Sequence, residues 1–188
     1  MKIGVISDTH GNIEAFKSAL SYFNDADMIV HAGDVLYHPP RMGFTEGYDI
    51  PTFAETLNSL SIPMIIAQGN CDAQVYEELL STPVQSPYAY VCCNGIRVVI
   101  SHGHLLTREG MIELGKKYKA DYFISGHTHL PVLERVDGVT LMNPGSPSLA
   151  KLEIGGKPIP SIGLITETGA KVINLIDGST LFELNAEA

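Results

Sequence analysis

Basic side chains are scarce in this chain. Twelve Lys and Arg stand against 21 Asp and Glu among 188 residues, for a formal net charge of −9. A general nucleic-acid binder would carry a basic face toward the phosphate backbone, so that class is set aside. Cysteine is sparse too: the chain has only Cys71, Cys92 and Cys93, two of them adjacent. That suggests no disulfide framework and a reducing, cytoplasmic setting. No apolar run approaches the roughly 20 residues of a spanning helix. The apolar stretch Met1–Ser7 stops at Asp8, too short for a signal-peptide core. A cytoplasmic protein without membrane contact is expected. Linker-like segments and internal repeats are also missing. With 45% hydrophobic residues, the whole of residues 1–188 is expected to form one domain around its own core, with a tail only in the last few residues.

What the chain does carry is a regular alternation of short apolar runs and turn signals. Lys2–Ser7 reads as a buried strand. About Asn12–Phe23 reads as a helix, because Ile13, Phe16, Ala19, Leu20 and Phe23 recur at helical spacing. Met28–Ala32 is predicted as a second strand, and Tyr37–Ile50, with Pro39-Pro40, Gly43 and Gly47, as an irregular loop. Thr52–Leu60 follows as a helix and Pro63–Ala67 as a strand, an order that signals a parallel sheet with crossovers. The second half is richer in hairpins. Tyr88–Cys93 and Ile96–Ser101 flank Asn94-Gly95, and Val132–Val136 and Val139–Met142 flank Asp137-Gly138. Between them Arg108–Tyr118 is helical and Tyr122–Ser125 a strand. Ser161–Thr166, Lys171–Leu175 and Thr180–Leu184 finish the chain, with Asp177-Gly178 as the last tight turn. An α/β fold of two sheets packed face to face, with helices outside, would use all of these.

The functional signal lies in five short blocks: Asp8-Thr9-His10, Gly33-Asp34, Gly69-Asn70, Ser101-His102-Gly103-His104 and Gly126-His127-Thr128-His129. Most follow an apolar run and adjoin a glycine. A strand end delivers ligands to one rim of a sheet, and glycine lets the backbone turn sharply beneath them. Asp8 and His10, two apart, face the same way if the strand continues briefly. Asp34 stands at a strand end, placed to bridge two ions, and Asn70 offers a neutral oxygen. His127 and His129 repeat the two-residue spacing. Any one block alone is ordinarily structural or solvated. Together, two carboxylates, an amide oxygen and several imidazoles suit a pair of borderline divalent cations. A bridging carboxylate holds such a pair about 3.5–4 Å apart, as in two-metal hydrolysis. The prediction is a dinuclear metal hydrolase.

The order Asp-x-His, Gly-Asp, Gly-Asn, His-Gly-His, Gly-His-x-His resembles the calcineurin-like metallophosphoesterase superfamily, over at least Met1 to about Ser148. Gly33-Asp34-Val35-Leu36-Tyr37-His38, Pro40-Arg41, Glu46-Gly47-Tyr48, Gly69-Asn70-Cys71-Asp72 and Asn143-Pro144-Gly145-Ser146 are similar to the small bacterial YfcE-type phosphodiesterases. The resemblance implies a four-layer αββα sandwich, two mixed β-sheets flanked by helices. It implies one ion held by Asp8, His10, Asp34 and His129, and another held by Asp34, Asn70, His102 and His127. It also implies hydrolysis of small phosphodiesters by a hydroxide bridging the two ions. Oxygen and imidazole ligands point to Mn first, with Fe, Zn, Ni or Co as alternatives. The other readings of the same site are a phosphomonoesterase, a nucleotide pyrophosphatase, a metal-storage or sensing module, and a non-catalytic scaffold such as the retromer subunit of this fold. Exposed residues of the C-terminal strands leave a homo-oligomer open.

Many superfamily members carry His after the motif asparagine, where this chain has Cys71. A thiol with a reference pKa near 8.5 donates weakly, so alkyl leaving groups should be cleaved slowly and activated ones less affected. His104, two residues from His102, is the candidate replacement as acid or substrate contact. His38 and Arg41, in the proline-rich loop after Asp34, are candidate substrate contacts, Arg41 because a guanidinium can fork onto phosphate oxygens. Glu46 and Tyr48 in the same loop would shape the pocket wall. Asp72 is expected to cap a helix starting near Gln74. His31 is expected to pack in the core. Asn143-Pro144-Gly145-Ser146 reads as a turn supporting the His loops, and Lys151–Pro160 as a loop, with a lid as the alternative.

Overall fold

The alternation of apolar side chains along each strand sorts this protein into layers. The computed structural model describes residues 1–186; the expected tail at 187–188 lies outside them. Its elements in chain order are β1 (Lys2–Ile6), α1 (Ile13–Leu20), β2 (Met28–His31), α2 (Ile50–Asn58), β3 (Met64–Ala67), α3 (Tyr76–Leu79), β4 (Val84–Gln85), β5 (Ala89–Cys93) and β6 (Ile96–Ile100). There follow α4 (Arg108–Lys117), β7 (Tyr122–Ile124), β8 (Val132–Val136), β9 (Val139–Asn143), β10 (Glu153–Ile154), β11 (Lys157–Pro158), β12 (Ser161–Thr166), β13 (Gly169–Asn174) and β14 (Thr180–Asn185).

One sheet has seven strands in the order β14-β13-β12-β1-β2-β3-β4, and the other five in the order β5-β6-β7-β9-β8. Both are mixed. β1 to β4 run parallel, with β12 to β14 added antiparallel, and β6, β7 and β9 run parallel between antiparallel edges. Ile3, Val5, Val30 and Ala67 of the larger sheet meet Val98, Ile100, Ile124 and Met142 of the smaller one in a buried layer. The alternate residues face outward. Ile6, Ile29 and Ile66 pack under α1 and α2 with Phe16, Phe53 and Leu57. Val99, Phe123 and Leu141 pack under α4 with Ile112. The result is the expected four-layer αββα sandwich.

Local chemistry sets the element ends. Asn12 caps α1, its Oδ1 accepting the Ala15 N–H at 2.9 Å, so the helix begins one residue later than its apolar period suggested. Asp49 caps α2 through the Thr52 N–H, with Pro51 in the first turn, and this helix starts before Thr52. Asn94-Gly95 and Asp137-Gly138 both take positive φ at both residues, as two-residue hairpin turns require. Two expectations need correction. Asp72 caps no helix: α3 is a single turn from Tyr76 whose N-terminal neighbour Val75 offers no side-chain cap. Lys151–Pro160 is no plain loop, since β10 and β11 pair across Gly155-Gly156.

Helix α3 also pins the backbone after β2. The buried Tyr76 hydroxyl accepts the N–H groups of Leu36 (3.1 Å) and Tyr37 (2.8 Å). Tyr76→Phe removes that acceptor and leaves both amides unpaired. Stability in urea unfolding is expected to fall by about 1–3 kcal/mol with an unchanged m value. An unchanged midpoint would mean that the two amides find another partner.

Candidate metal centre

The five ligand-bearing blocks all lie just beyond the carboxyl ends of parallel strands. Asp8 follows β1, Asp34 follows β2 and Asn70 follows β3 on one sheet; His102 follows β6 and His127 follows β7 on the other. Facing sheets thus bring both sets to one edge of the sandwich. The blocks are laced together through the backbone. Asp8 N donates to Gly33 O (3.0 Å), His10 N to Asp34 O (3.0 Å) and Gly126 N to His102 O (3.1 Å). The chain turns tightly to do this. Of the eight non-glycine residues with positive φ among those described, five are Asp8, His10, Asp34, His127 and His129; the other three lie in turns. Left-handed backbone at non-glycine residues is disfavoured and clusters at functional sites.

All seven ligand-type side chains converge. His10 Nε2 lies 3.3 Å from His129 Nε2, and Asp8 Oδ1 lies 3.3 Å from the latter. Asp34 Oδ2 is 3.7 Å from His10 Nε2 and 3.4 Å from His102 Nε2, between the two halves of the cluster. Asn70 Oδ1 is 3.1 Å from His102 Nε2. The His127 ring is 5.2 Å from that of His102, and its backbone N–H donates to the Asp8 carboxylate at 3.0 Å. Three groups, Asp8–His10–His129, His10–Asp34–Cys71 and Asp8–Asp34–His102, have ligand atoms within 4.8 Å of one another.

The tautomers show what this cluster is made for. Nδ1 of His10 meets the Tyr37 carbonyl (2.8 Å), that of His102 the Ala32 carbonyl (2.8 Å), and that of His129 the Leu149 carbonyl (2.7 Å). A carbonyl can only accept, so each Nδ1 carries a proton, and each imidazole in its neutral, metal-binding form points an Nε2 lone pair into the cluster. The 3.3 Å approach of His10 Nε2 to His129 Nε2 is therefore no hydrogen bond; it is two lone pairs facing each other. Such an array of lone pairs and carboxylate oxygens calls for cations, and outer carbonyls orienting metal-bound imidazoles are the usual arrangement. Burial keeps the pKa of His10 low, and partial desolvation together with the neighbouring His102 does the same for the more open His127, leaving their imidazoles neutral and able to donate a lone pair.

Residues outside the ligand set hold the ligand loops in place. The Asp72 carboxylate accepts three backbone N–H groups, from Asp34 (2.8 Å), Val35 (2.8 Å) and Gly69 (2.7 Å), tying the β2 loop to the β3 loop. Burial pushes its pKa up while those amides pull it down. His31 is in the core as expected, but it is also a strut. Thr9 Oγ1 donates to Val35 O and so accepts from His31 Nε2 (2.9 Å), while His31 Nδ1 accepts from Gly33 N (3.1 Å). Complete burial lowers its pKa to about 3, so it is neutral. Asn143 donates to the Gly126 carbonyl (2.7 Å), and Ser146 Oγ donates to the Asp8 carbonyl (2.8 Å), the support read from that turn. Glycine is required at two close approaches. A Cβ at Gly69 would lie 2.2 Å from Asp34 Oδ1, and one at Gly126 would lie 2.0 Å from Ser7 Oγ.

Around this floor the rim is open. Asp8, His10, Asp34, His102 and His129 are buried, whereas Asn70, His127 and His104 are exposed. The His104 ring lies 5.4 Å from His102 and 6.0 Å from His127. It borders two clefts. One, about 530 Å³, is lined by Asn70, Pro87, Tyr88, Leu105 and Leu106; the other, about 410 Å³, by His127, Met111 and Asn143. The Cys71 thiol is pushed up to about 12 by burial and the nearby Asp34 carboxylate. Its sulfur accepts the Asn70 side-chain N–H at 3.3 Å, which turns the Asn70 oxygen toward the cluster. His38 stands on the opposite side, its ring 6.5 Å from that of His10. Tyr48 and His38 line a further cavity there; Arg41, exposed on the same loop, does not line it.

Comparison with known proteins agrees with this geometry. Residues 1–163 match the calcineurin-like phosphoesterase superfamily domain. The chain is 37% identical over 186 residues to phosphodiesterase YfcE of Escherichia coli strain K12, covering 98% of this chain and 97% of that one. It is 30% identical over 154 residues to phosphodiesterase MJ0936 of Methanocaldococcus jannaschii, covering 77% and 83% of the two chains. The solved structure of the E. coli phosphoesterase YfcE superposes over the full length of both chains with a TM-score of 0.85 and 34% identity. Vps29 of Entamoeba histolytica, at 22% identity with a TM-score of 0.64 over the full length of both chains, shares the fold. A strand-end cluster of lone-pair donors, a four-layer sandwich and near full-length relatives lead to one assignment: this chain belongs to the calcineurin-like phosphoesterase superfamily, a family of metal-dependent hydrolases.

Proposed function

We propose that this protein hydrolyses small phosphodiesters using two divalent cations, Mn first among them, as a single cytoplasmic domain. The observation that carries this reading is the convergence of two carboxylates, an amide oxygen and inward-pointing imidazole lone pairs on one open rim with room on opposite sides. Asp8, His10, Asp34 and His129 would hold one cation, and Asp34, Asn70, His102 and His127 the other. When bound, such a pair supplies an acidified water as nucleophile and neutralises phosphate charge.

The chain's own residues do the rest. Asp8, His10 and His129 form the buried floor under the reacting centre, and the exposed Asn70, His127 and His104 border one of its two open flanks. A monoester has one arm, whereas this rim has a cleft beside His104 and a cavity beside His38, a place for each arm of a diester. His104 would meet the leaving oxygen. Partial desolvation at the cleft wall and the neighbouring His102 hold its pKa down, so near neutral pH it offers a ring N–H as a hydrogen bond rather than a full proton. The thiol of Cys71, protonated up to about pH 12, is a still poorer acid. Weak protonation suffices for aryl oxides and fails alkyl oxides, so activated diesters should turn over best. Each of the three cysteines is unpaired, as a cytoplasmic setting requires.

Chelator-stripped protein is expected to cleave bis(p-nitrophenyl) phosphate only after divalent metal is restored, and faster than p-nitrophenyl phosphate. No turnover with any divalent ion would overturn the activity, and a monoester preference would overturn the two-arm argument. Asp34→Asn should lose both cations. Its activity should fall by more than the roughly 10–100-fold that loss of an outer partner costs. Full activity with two equivalents of metal by elemental analysis would show the ligand assignment wrong. Cys71→His introduces an imidazole beside the leaving oxygen and should raise the monoester-to-diester rate ratio by about tenfold or more. A constant ratio would place residue 71 away from the leaving group.

A further inference from the structure

The loop between β2 and α2 gathers aromatic rings on the side of the metal centre away from His104. Phe44 and Tyr48 stack at 4.8 Å and 24°, and His38 stands edge-on to both, at 5.4 Å and 5.8 Å. We propose that this is a binding platform for a flat aromatic arm of the substrate, a nucleobase or an aryl ring. It takes the arm that stays on phosphorus, because the leaving oxygen is assigned to the His104 side. The proposal rests on the phosphodiesterase reading and extends it to a substrate class.

Four observations carry it. The His38 ring lies 6.5 Å from that of His10, so a phosphate on the cluster has the platform within reach of its next group. The cavity there measures about 470 Å³ and is walled by Tyr37, His38, Pro40, Met42, Phe44 and Tyr48. With no Lys or Arg in that wall, it suits an uncharged ring, and the net charge of −9 disfavours a polynucleotide. Phe44 is 78% exposed and Met42 48%, on a loop where nothing else covers them among the described residues. Exposed apolar surface grouped beside a reactive centre marks ligand contact. Finally, His38 gives its Nδ1 proton to the Pro39 carbonyl, while its Nε2 is buried without a hydrogen-bond partner, an acceptor that a bound group or water is needed to satisfy.

The platform is fixed to the metal loop. Asn12, which caps α1, donates from Nδ2 to the Glu46 carbonyl (2.8 Å) and to Thr45 Oγ1 (3.2 Å), and Ile13 N donates to Gly47 O (2.9 Å). Asp49 N donates to Gly11 O (2.9 Å), closing the loop onto the residue after His10. The rings are thereby held at a set distance from the cluster before substrate arrives, so little ordering is left to oppose stacking.

The test compares substrates that lose the same p-nitrophenolate: thymidine 5′-(p-nitrophenyl) phosphate, phenyl p-nitrophenyl phosphate and methyl p-nitrophenyl phosphate, with metal-loaded protein. The ring-bearing esters should exceed the methyl ester in kcat/KM by about tenfold, the size of a base–aromatic stack. Equal preference for thymidine and phenyl would assign recognition to the flat ring, and preference for thymidine alone to the base's polar edge as well. Phe44→Ala should cut the ring-to-methyl ratio by about tenfold, mainly through KM, while Phe44→Tyr restores it. A wild-type ratio near one, or an unchanged ratio in Phe44→Ala, would overturn the platform. So would a Phe44→Ala change in sedimentation with an unchanged ratio, which would make the loop a contact between copies of the chain. If no diester is cleaved at all, the activity falls separately. Calorimetric titration of Mn²⁺-loaded protein with thymidine 5′-phosphate against methyl phosphate then decides the platform, equal affinities overturning it.

Discussion

The groups at the middle of the metal centre are all acceptors, and much of the surrounding structure answers that constraint. Two carboxylates, an amide oxygen and the Nε2 atoms of His10, His102 and His129 face one another at 3.1 to 3.9 Å. None of them can hold another in place, because acceptors repel. Each is therefore held from behind. Carbonyls of Tyr37, Ala32 and Leu149 take the Nδ1 protons, the Cys71 N–H takes one oxygen of Asp34, and the His127 N–H takes the carboxylate of Asp8. Cations would reverse the sign of the interaction at the centre. Metal binding and local stability are consequently linked: any group that favours the loaded site stabilises the folded loops as well.

The backbone answers the same constraint. Putting ligands from adjacent loops on one point needs left-handed turns at five residues with side chains, each costing roughly 1–3 kcal/mol. The cost is offset by buried hydrogen bonds that the turned loops alone could not make. Asp72 gathers three amides, Tyr76 two, and the Thr9–His31–Gly33 relay joins the β1 loop to the β2 loop. A buried carboxylate is unfavourable unless its oxygens are satisfied. Asp72 is tolerated because the three N–H groups it accepts are those that the tight turns leave without partners in the sheet.

How far the site was legible in the sequence follows from where each residue's partner lies. Asp8 with His10 and His127 with His129 announce themselves because ligand pairs two apart on a strand end share a face, a local property. The two packed sheets were legible for the same reason, since the apolar runs and hairpin turns that mark their strands are local, while the four-layer order came from the family resemblance. The starts of α1 and α2 were displaced because Asn12 and Asp49 cap them, and an apolar period alone does not register a cap. The supports were not legible. Asp72 answers Asp34 and Val35 from nearly 40 residues away, and beside Gln74 its type fits a helix cap equally well. His31 in an apolar strand looks like any packed histidine until Thr9 and Gly33 are placed next to it. The β10–β11 pair escaped because two-residue strands carry no period to read.

The asymmetry of the centre then bears on chemistry. Its β1 side is walled by His10 and His129, both buried, and backed by a loop that Asn12 fixes. Its β3 and β7 side presents Asn70, His127 and His104 to solvent. In the proposed two-cation site, buried ligands would favour tight, water-poor binding of one cation, while exposed ones would let the other exchange solvent and meet a substrate oxygen. Cys71 sits at the seam. Its backbone holds Asp34, its sulfur turns the Asn70 amide, and its proton is held too firmly to give away. A histidine in that place could protonate a leaving group, but it would have to satisfy the Asn70 N–H by another route. The thiol thus keeps the amide oxygen aimed at the cluster at the expense of acid catalysis. Under the proposed function that exchange is tolerable, because leaving groups that depart readily need little protonation.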